Sequence, residues 1–308
     1  MPQLVKNSSR TPTRRLPGAP ERPTLPTMDA RFELLGDADA PPSPVVLSVP
    51  HAGRDYPADM LRLLRPPLPA IRALEDRYVD LVARGARGDR VALVQRLPRA
   101  WIDLNRAEHE RDPLVDEGAD ARVQPIRSPK LKSGLGLVPR RVPAAGDVWR
   151  RKLSADEVAA RIADAHRPYH QALARALAAA RARFGVAVLV DLHSMPPLGE
   201  GAARVVLGDR FGRAAAARFV SRAEAVASAR GLLVALNSPY AGGHVLDRHA
   251  RPHAGVHAVQ VELDRALYLD RRLDAPGEGL HATAELVAEM LGALEDEALA
   301  GGQALAAE

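Results

Sequence analysis

Short β-branched runs alternating with long stretches of Ala, Arg and Leu constrain this 308-residue chain more than any other feature. Val45-Val46-Leu47-Ser48-Val49 is apolar enough for a strand buried on both faces, and Pro50 stops it. Residues 69–87 read as a helix, and 91–96 and 101–104 as strands. Ser154-Ala155-Asp156-Glu157 has the pattern of a capping box and opens a helix running to about residue 183, with a kink or split near His166 imposed by Pro168. Strands at 187–192, 204–207, 232–236 and 256–263 then alternate with helices over 211–230, closed by Gly231, and about 278–299. This alternation predicts an α/β three-layer sandwich around a mainly parallel mixed sheet. Residues 110–150, rich in Pro, Gly and Arg and without periodicity, read as a long surface excursion of the kind that often carries function. Residues 1–28 hold six prolines and almost nothing apolar, so a disordered arm is expected ahead of one domain over 29–300.

Hydrophobic residues at 46% and charged residues at 26% exclude a wholly disordered or fibrous chain. The absence of Cys excludes disulfides, a thiol nucleophile and Cys-ligated metal, so a metal would sit on His and carboxylates. A net charge of +5 would suit nucleic acid, yet only Lys6, Lys130, Lys132 and Lys152 of the 43 basic residues are lysine, and the arginines are scattered among acids rather than gathered in a stripe. No apolar run reaches the ~18 residues of a membrane span or resembles a signal peptide, so a cytoplasmic protein with no membrane partner is expected. The serine-hydrolase elbow, H-E-x-x-H, the phosphate loop and the dinucleotide-binding glycines are all missing.

The strongest strands run into polar residues. Val45–Val49 leads to Pro50-His51-Ala52-Gly53, and 187–190 leads to Asp191-Leu192-His193-Ser194. Ligands bind outside the carboxyl ends of the strands in open α/β sheets, so both histidines belong on one rim, either sharing a metal or each capped by a hydrogen bond. In the strand 257–263, His257, Val259, Val261 and Leu263 face one way and Ala258, Gln260 and Glu262 the other. A carboxylate there is costly unless paired or functional, which makes Glu262 a base, a ligand or the partner of an arginine. Asn105-Arg106 follows a short strand and offers a neutral donor beside a planar fork for a carboxylate, or a structural partner for Asp103 or Asp112. Asp76 and Asp80, at i and i+4 of the expected helix, would repel unless a cation or solvent separates them. His244, His249, His253 and His257 crowd together after Gly242-Gly243 in no recognisable ligand spacing.

Ser48 to Gly53, Glu75 to Asp80, Ile102 to Arg106, Asp191 to Ser194 and Gly255 to Leu263 together resemble, in that order, the N-formylglutamate amidohydrolase family over roughly residues 44–295. The resemblance implies a metal-dependent hydrolase that releases formate and glutamate from N-formylglutamate in histidine degradation. It also implies kinship with the zinc carboxypeptidase and aspartoacylase fold. His51 and His193 would be metal ligands, zinc the ion, Asn105 and Arg106 the holders of the substrate carboxylate, and Glu262 the general base. Arg99 or a histidine of the 244–257 cluster would add an oxyanion donor. The carboxypeptidase relatives carry an acidic ligand three residues after the first His, where this chain has Arg54. That leaves Asp55, Glu75, Asp76 and Asp80, of which Asp76 fits the family segment. A hydrolase for another N-acyl amino acid or a peptide, and a basic nucleic-acid-binding module, are the rival readings; Trp149 is the only aromatic in the basic 121–152 segment.

Overall fold

The strands of the computed structural model run β1 (Phe32–Leu35), β2 (Val45–Val49), β3 (Ala92–Gln95), β4 (Arg141–Val142), β5 (Gly146–Asp147), β6 (Ala187–Met195), β7 (Val205–Gly208), β8 (Val234–Leu236) and β9 (Val256–Asp264). The structure describes residues 31–120, 122, 129–143 and 145–305, without the side chains of 301–305. The arm expected over 1–28 lies outside the described residues. Seven strands form one sheet in the order β1-β3-β2-β6-β9-β7-β8, and β4 and β5 make a separate ribbon. β3, β2, β6 and β9 are parallel, β1 and β7 add antiparallel, and β8 lies parallel to β7. The mainly parallel mixed sheet expected from the alternation is what forms.

The helices are α1 (Ala58–Leu63), α2 (Leu68–Ile71), α3 (Val79–Ala86), α4 (Pro129–Lys132), α5 (Ala155–Arg161), α6 (Arg167–Phe184), α7 (Ala217–Ala229), α8 (His244–His249) and α9 (Leu280–Leu305). One face of the sheet packs Val46, Leu189 and Ala258 on Tyr169, Leu173 and Leu177 of α6. The other packs Val45, Val190 and Val261 on α3, α7 and α9. The alternation read in β9 therefore holds: Val259, Val261 and Leu263 turn to α7 and α9. Gln260 and Glu262 turn with Ala258 to the α6 side, where the site lies.

Several local readings are corrected. The helix over 69–87 is broken: α2 and a 3₁₀ turn end at Leu74, Glu75 is extended, Tyr78 takes a left-handed φ of 57°, and only then does α3 begin. The break follows from burying three consecutive charged residues, which are satisfied by distant partners that one helical face cannot reach. Asp76 and Asp80 consequently share no helix face, and Asp80 is paired bidentately with Arg54 at 2.7 and 2.9 Å. Residues 101–104 form turns, because Asp103 Oδ1 accepts from the Asn105 backbone N–H at 2.8 Å and bends the chain. The described residues of 110–150 are not a surface excursion: Leu131, Leu137, Val138, Val142, Val148 and Trp149 enter the core beside α6. The helix from Ser154 starts with the expected capping box and passes Pro168 through a π-turn over Ile162–His166, which absorbs the ring without splitting the helix.

Candidate functional site

Three adjacent parallel strands bring the polar residues to one rim. Ser48 of β2 stands opposite Asp191 of β6, Asp191 opposite Gln260 of β9, and His193 opposite Glu262. His51 follows β2, and Gly53 beside it is required: a Cβ there would lie 2.0 Å from the Leu97 carbonyl oxygen. The broken acidic segment reaches the same rim because the Asp76 N–H donates to the His51 carbonyl at 3.0 Å.

His51, Asp76 and His193 meet at the centre of this rim, all buried. Asp76 Oδ2 lies 3.6 Å from His51 Nδ1 and 3.0 Å from His193 Nδ1. Arg265 holds the other Asp76 oxygen at 3.3 Å. The far nitrogens are braced by carboxylates, His51 Nε2 by Asp103 at 2.7 Å and His193 Nε2 by Asp191 at 2.9 Å. A carboxylate can only accept, so each ring carries a proton on Nε2 and turns Nδ1 to the centre, where His193 donates a second proton to Asp76. Ser48 Oγ donates to Asp191 Oδ1 at 2.8 Å, and Tyr169 Oη meets Ser48 Oγ at 2.9 Å, tying the brace to α6.

Burial would discharge His193, but Asp191 and Asp76 outweigh it and hold the imidazole well above its ordinary pKa. Burial would likewise raise Asp76, but its hydrogen bond with His193 and the nearby His51 ring keep it well below the carboxylate range. His51 Nδ1 remains buried with no hydrogen-bond partner. Two imidazole nitrogens and a carboxylate oxygen within 4.8 Å of one another, one of them orphaned, fit a single divalent cation that displaces the His193 proton. Of the four acids weighed from the sequence, Asp76 alone faces both histidines; Asp55 pairs with Arg96, Glu75 with Arg77 and Asp80 with Arg54.

Glu262 is 7% exposed, and its Oε1 accepts from Gln260 Nε2 at 2.9 Å. Among the described residues no arginine pairs with it. Burial, with the nearby Asp76 charge, pushes its pKa up to about 7 against the opposing His193 and Arg99. Arg99 donates from Nε to Asp103 Oδ2 at 2.8 Å. Arg106 is 3% exposed and bonds the carbonyls of Leu135 and Asn105, each at 2.7 Å, while its Nη2 stays 3.8 Å from Asp103. Two guanidiniums thus share one carboxylate that also serves His51. Asn105 Oδ1 accepts from the Val245 N–H at 2.9 Å, and Nδ2 reaches Gln260 at 3.4 Å and lies 3.5 Å from His193 Nε2. Gly243 must lack a side chain, since a Cβ would come within 2.4 Å of Asn105 Oδ1. Asn105 and Arg106 line a cavity of about 840 Å³, with Lys130, Arg210, His244 and Arg248.

The sequence reading missed the braces Asp103 and Asp191 and the clamp Arg265. Asp191 was legible: i and i+2 on a strand share a face. Asp103 is legible only as a partner for Arg106, and nothing local points to Arg265.

Four further histidines, His166, His170, His244 and His249, gather on the other side of residues 104–106. His166, His170 and His249 are buried, and burial lowers all three, His249 to about 3. The unfolded chain takes up protons at these sites near pH 6.5 and the folded chain does not, so folding stability falls as pH drops below that value. Glu262, raised in the fold, opposes them in the same window, and His193 contributes only above it. His170 and His249 against Glu262 leave a net of at least one group, about 1.4 kcal/mol per pH unit. Urea midpoints of metal-free protein should therefore fall between pH 6.5 and 5; a flat or rising profile would contradict this.

A parallel sheet in three layers, with a buried His–Asp–His centre and a glutamate at the carboxyl ends of its middle strands, defines an α/β protein whose site lies where such sheets take small ligands. A family model described as N-formylglutamate amidohydrolase matches residues 43–269, and the chain belongs to that family. It is 31% identical to an N-formylglutamate deformylase of Pseudomonas aeruginosa over 245 residues, covering 74% of this chain and 83% of that protein. A Pseudomonas putida protein of the same name is 30% identical over 240 residues, covering 74% and 82%. The crystal structure of N-formylglutamate amidohydrolase from Ralstonia eutropha has a TM-score of 0.79 at 31% identity, over 88% of this chain and 99% of its own. The Agrobacterium tumefaciens gene product Atu2144, 20% identical over 87% and 96% of the two chains with a TM-score of 0.56, shares the fold.

Proposed function

We propose that the chain hydrolyses the formamide bond of N-formyl-L-glutamate to formate and glutamate, with one divalent ion, zinc, held by His51, Asp76 and His193, as a step of histidine breakdown in the cytoplasm. The observation that carries the reading is Glu262, a buried carboxyl poised near neutrality, in register with His193 beside the His–Asp–His centre. Membership of the family, and the names of the two curated relatives, support the substrate.

A divalent ion held there supplies Lewis acidity to an acyl carbonyl and to water. Glu262 takes the proton of the attacking water as its oxygen bonds the formyl carbon, and returns a proton to the nitrogen as the C–N bond breaks. Arg99, whose charge reaches Asp76 and Glu262, supplies positive charge against the oxyanion of the transition state. Asp103 and Asp191 keep both histidine rings turned inward. Arg106, with Asn105 positioning it, offers its remaining N–H groups to a substrate carboxylate from the cavity wall.

Formate release from N-formylglutamate is the direct test; no release by metal-loaded protein overturns the reading. Arg106→Ala should raise KM for N-formylglutamate at least tenfold, the loss of a charge-assisted contact of ~1.5–3 kcal/mol. Neutral N-formylalaninamide should be indifferent to the change. Equal loss on both substrates would remove Arg106 from the carboxylate clamp.

A further inference from the structure

The backbone of Leu104-Asn105-Arg106 separates two histidine clusters. The Asn105 side chain reaches His193 on one side, while the carbonyls of Leu104 and Arg106 face the other. There His170 Nε2 lies 3.0 Å from the Leu104 oxygen, and His166 Nε2 lies 2.8 Å from the Arg106 oxygen. A carbonyl only accepts, so both rings carry the proton on Nε2 and keep a lone pair on Nδ1. Ligating histidines are commonly fixed in this way, through the nitrogen that does not face the ion.

His166 Nδ1 is buried without a partner, on a residue with no solvent exposure. His244, the first residue of α8, also has its Nε2 buried and unpartnered. The rings of His166 and His244 stack at 5.8 Å, and His170 lies 4.5 and 5.3 Å from them, centroid to centroid. One nitrogen from each falls within 4.8 Å of the other two. His166 ends the π-turn and His170 follows one turn into α6, so the extra residue of that turn brings both onto the same side as α8. Neutral imidazoles, which burial maintains here, are the form a metal takes.

We propose that His166, His170 and His244 form a second metal site, for a divalent late transition ion, with its open position toward the basic cavity that His244 lines. Three imidazoles without thiolate or water-rich oxygen ligands suit zinc, nickel or copper(II) rather than magnesium or calcium. Glu108, held by Arg167, stands 3.8 Å from His166 Nδ1 and adds negative charge; Arg248 opposes it. The His170 lone pair now accepts from His249 Nε2 at 2.9 Å, and the ion takes its place, which makes this site weaker than one with three free lone pairs. The inference does not rest on the hydrolytic reading.

The test is equilibrium dialysis of chelator-stripped full-length protein against micromolar copper(II) or zinc, with the fold followed by circular dichroism. The double variant His51→Ala/His193→Ala should bind one ion per chain, with nitrogen hyperfine structure in the copper spectrum, and adding His244→Phe, which retains the stack on His166, should abolish it. If the double variant does not fold, His244→Phe in the otherwise wild-type chain should lower the count by one. A folded double variant that binds nothing, or a count unchanged by His244→Phe, overturns the site. A wild-type count equal to that of the double variant would instead tell against metal at His51 and His193 and leave this site standing.

Discussion

Glu262→Gln should lower kcat for N-formylglutamate by ~10²–10⁴, the worth of a positioned general base, while metal content and KM should stay near wild type. The size of the effect follows from how few alternatives the site offers. Glu262 is buried and its only side-chain partner among the described residues is Gln260, whose amide a glutamine at 262 can still meet through its own oxygen. The substitution therefore removes proton affinity and little else. The raised pKa of about 7 gives the sign of the pH dependence: the base form is lost as pH falls through that region, so wild-type kcat declines on the acid side. In the variant that acid limb should vanish along with most of the rate. Near-full turnover by Glu262→Gln, or an unchanged acid limb on a residual rate, would take the proton transfer away from Glu262.

Why Glu262 stood out from the sequence, and Asp103 did not, is a matter of contrast with the surroundings. A carboxylate placed by period-2 alternation on the inner face of an apolar strand is an anomaly that one strand suffices to reveal. The two histidines were legible for a similar reason, since the apolar runs that open β2 and β6 give way to polar residues just before them. Asp103 lies in a turn held by the Leu137 carbonyl, in a segment whose sequence reads as a strand, and its bond to His51 spans 52 residues. The helix over 69–87 failed where tertiary burial of Glu75, Asp76 and Arg77 overrode local helix preference, and that break is what frees Asp76 to reach both histidines. The 110–150 segment failed because irregular backbone can still bury apolar side chains one at a time, leaving no period to read.

His193→Ala or His51→Ala should each strip the divalent ion from this centre and take hydrolysis to background, and the graded series around them is the sharper test. Removing His193 deletes one of only two imidazole donors and leaves Asp191, Asp76 and Glu262 as buried carboxyls with less positive charge to face. Asp191→Asn and Asp103→Asn delete no ligand. They remove the charge that holds each ring in place, so metal affinity should fall by ~10–100-fold and activity should return when metal is raised. The proton count supplies an independent reading. Asp191 and Asp76 hold His193 protonated in the absence of the ion, so metal entry must expel that proton. Calorimetric titrations in buffers of different ionisation enthalpy should show close to one proton released near neutrality, and affinity should weaken as pH falls. In Asp191→Asn the release should shrink, because the imidazole no longer needs to be discharged. Full metal retention in His193→Ala, or proton release that Asp191→Asn leaves untouched, would place the ion away from His51, Asp76 and His193.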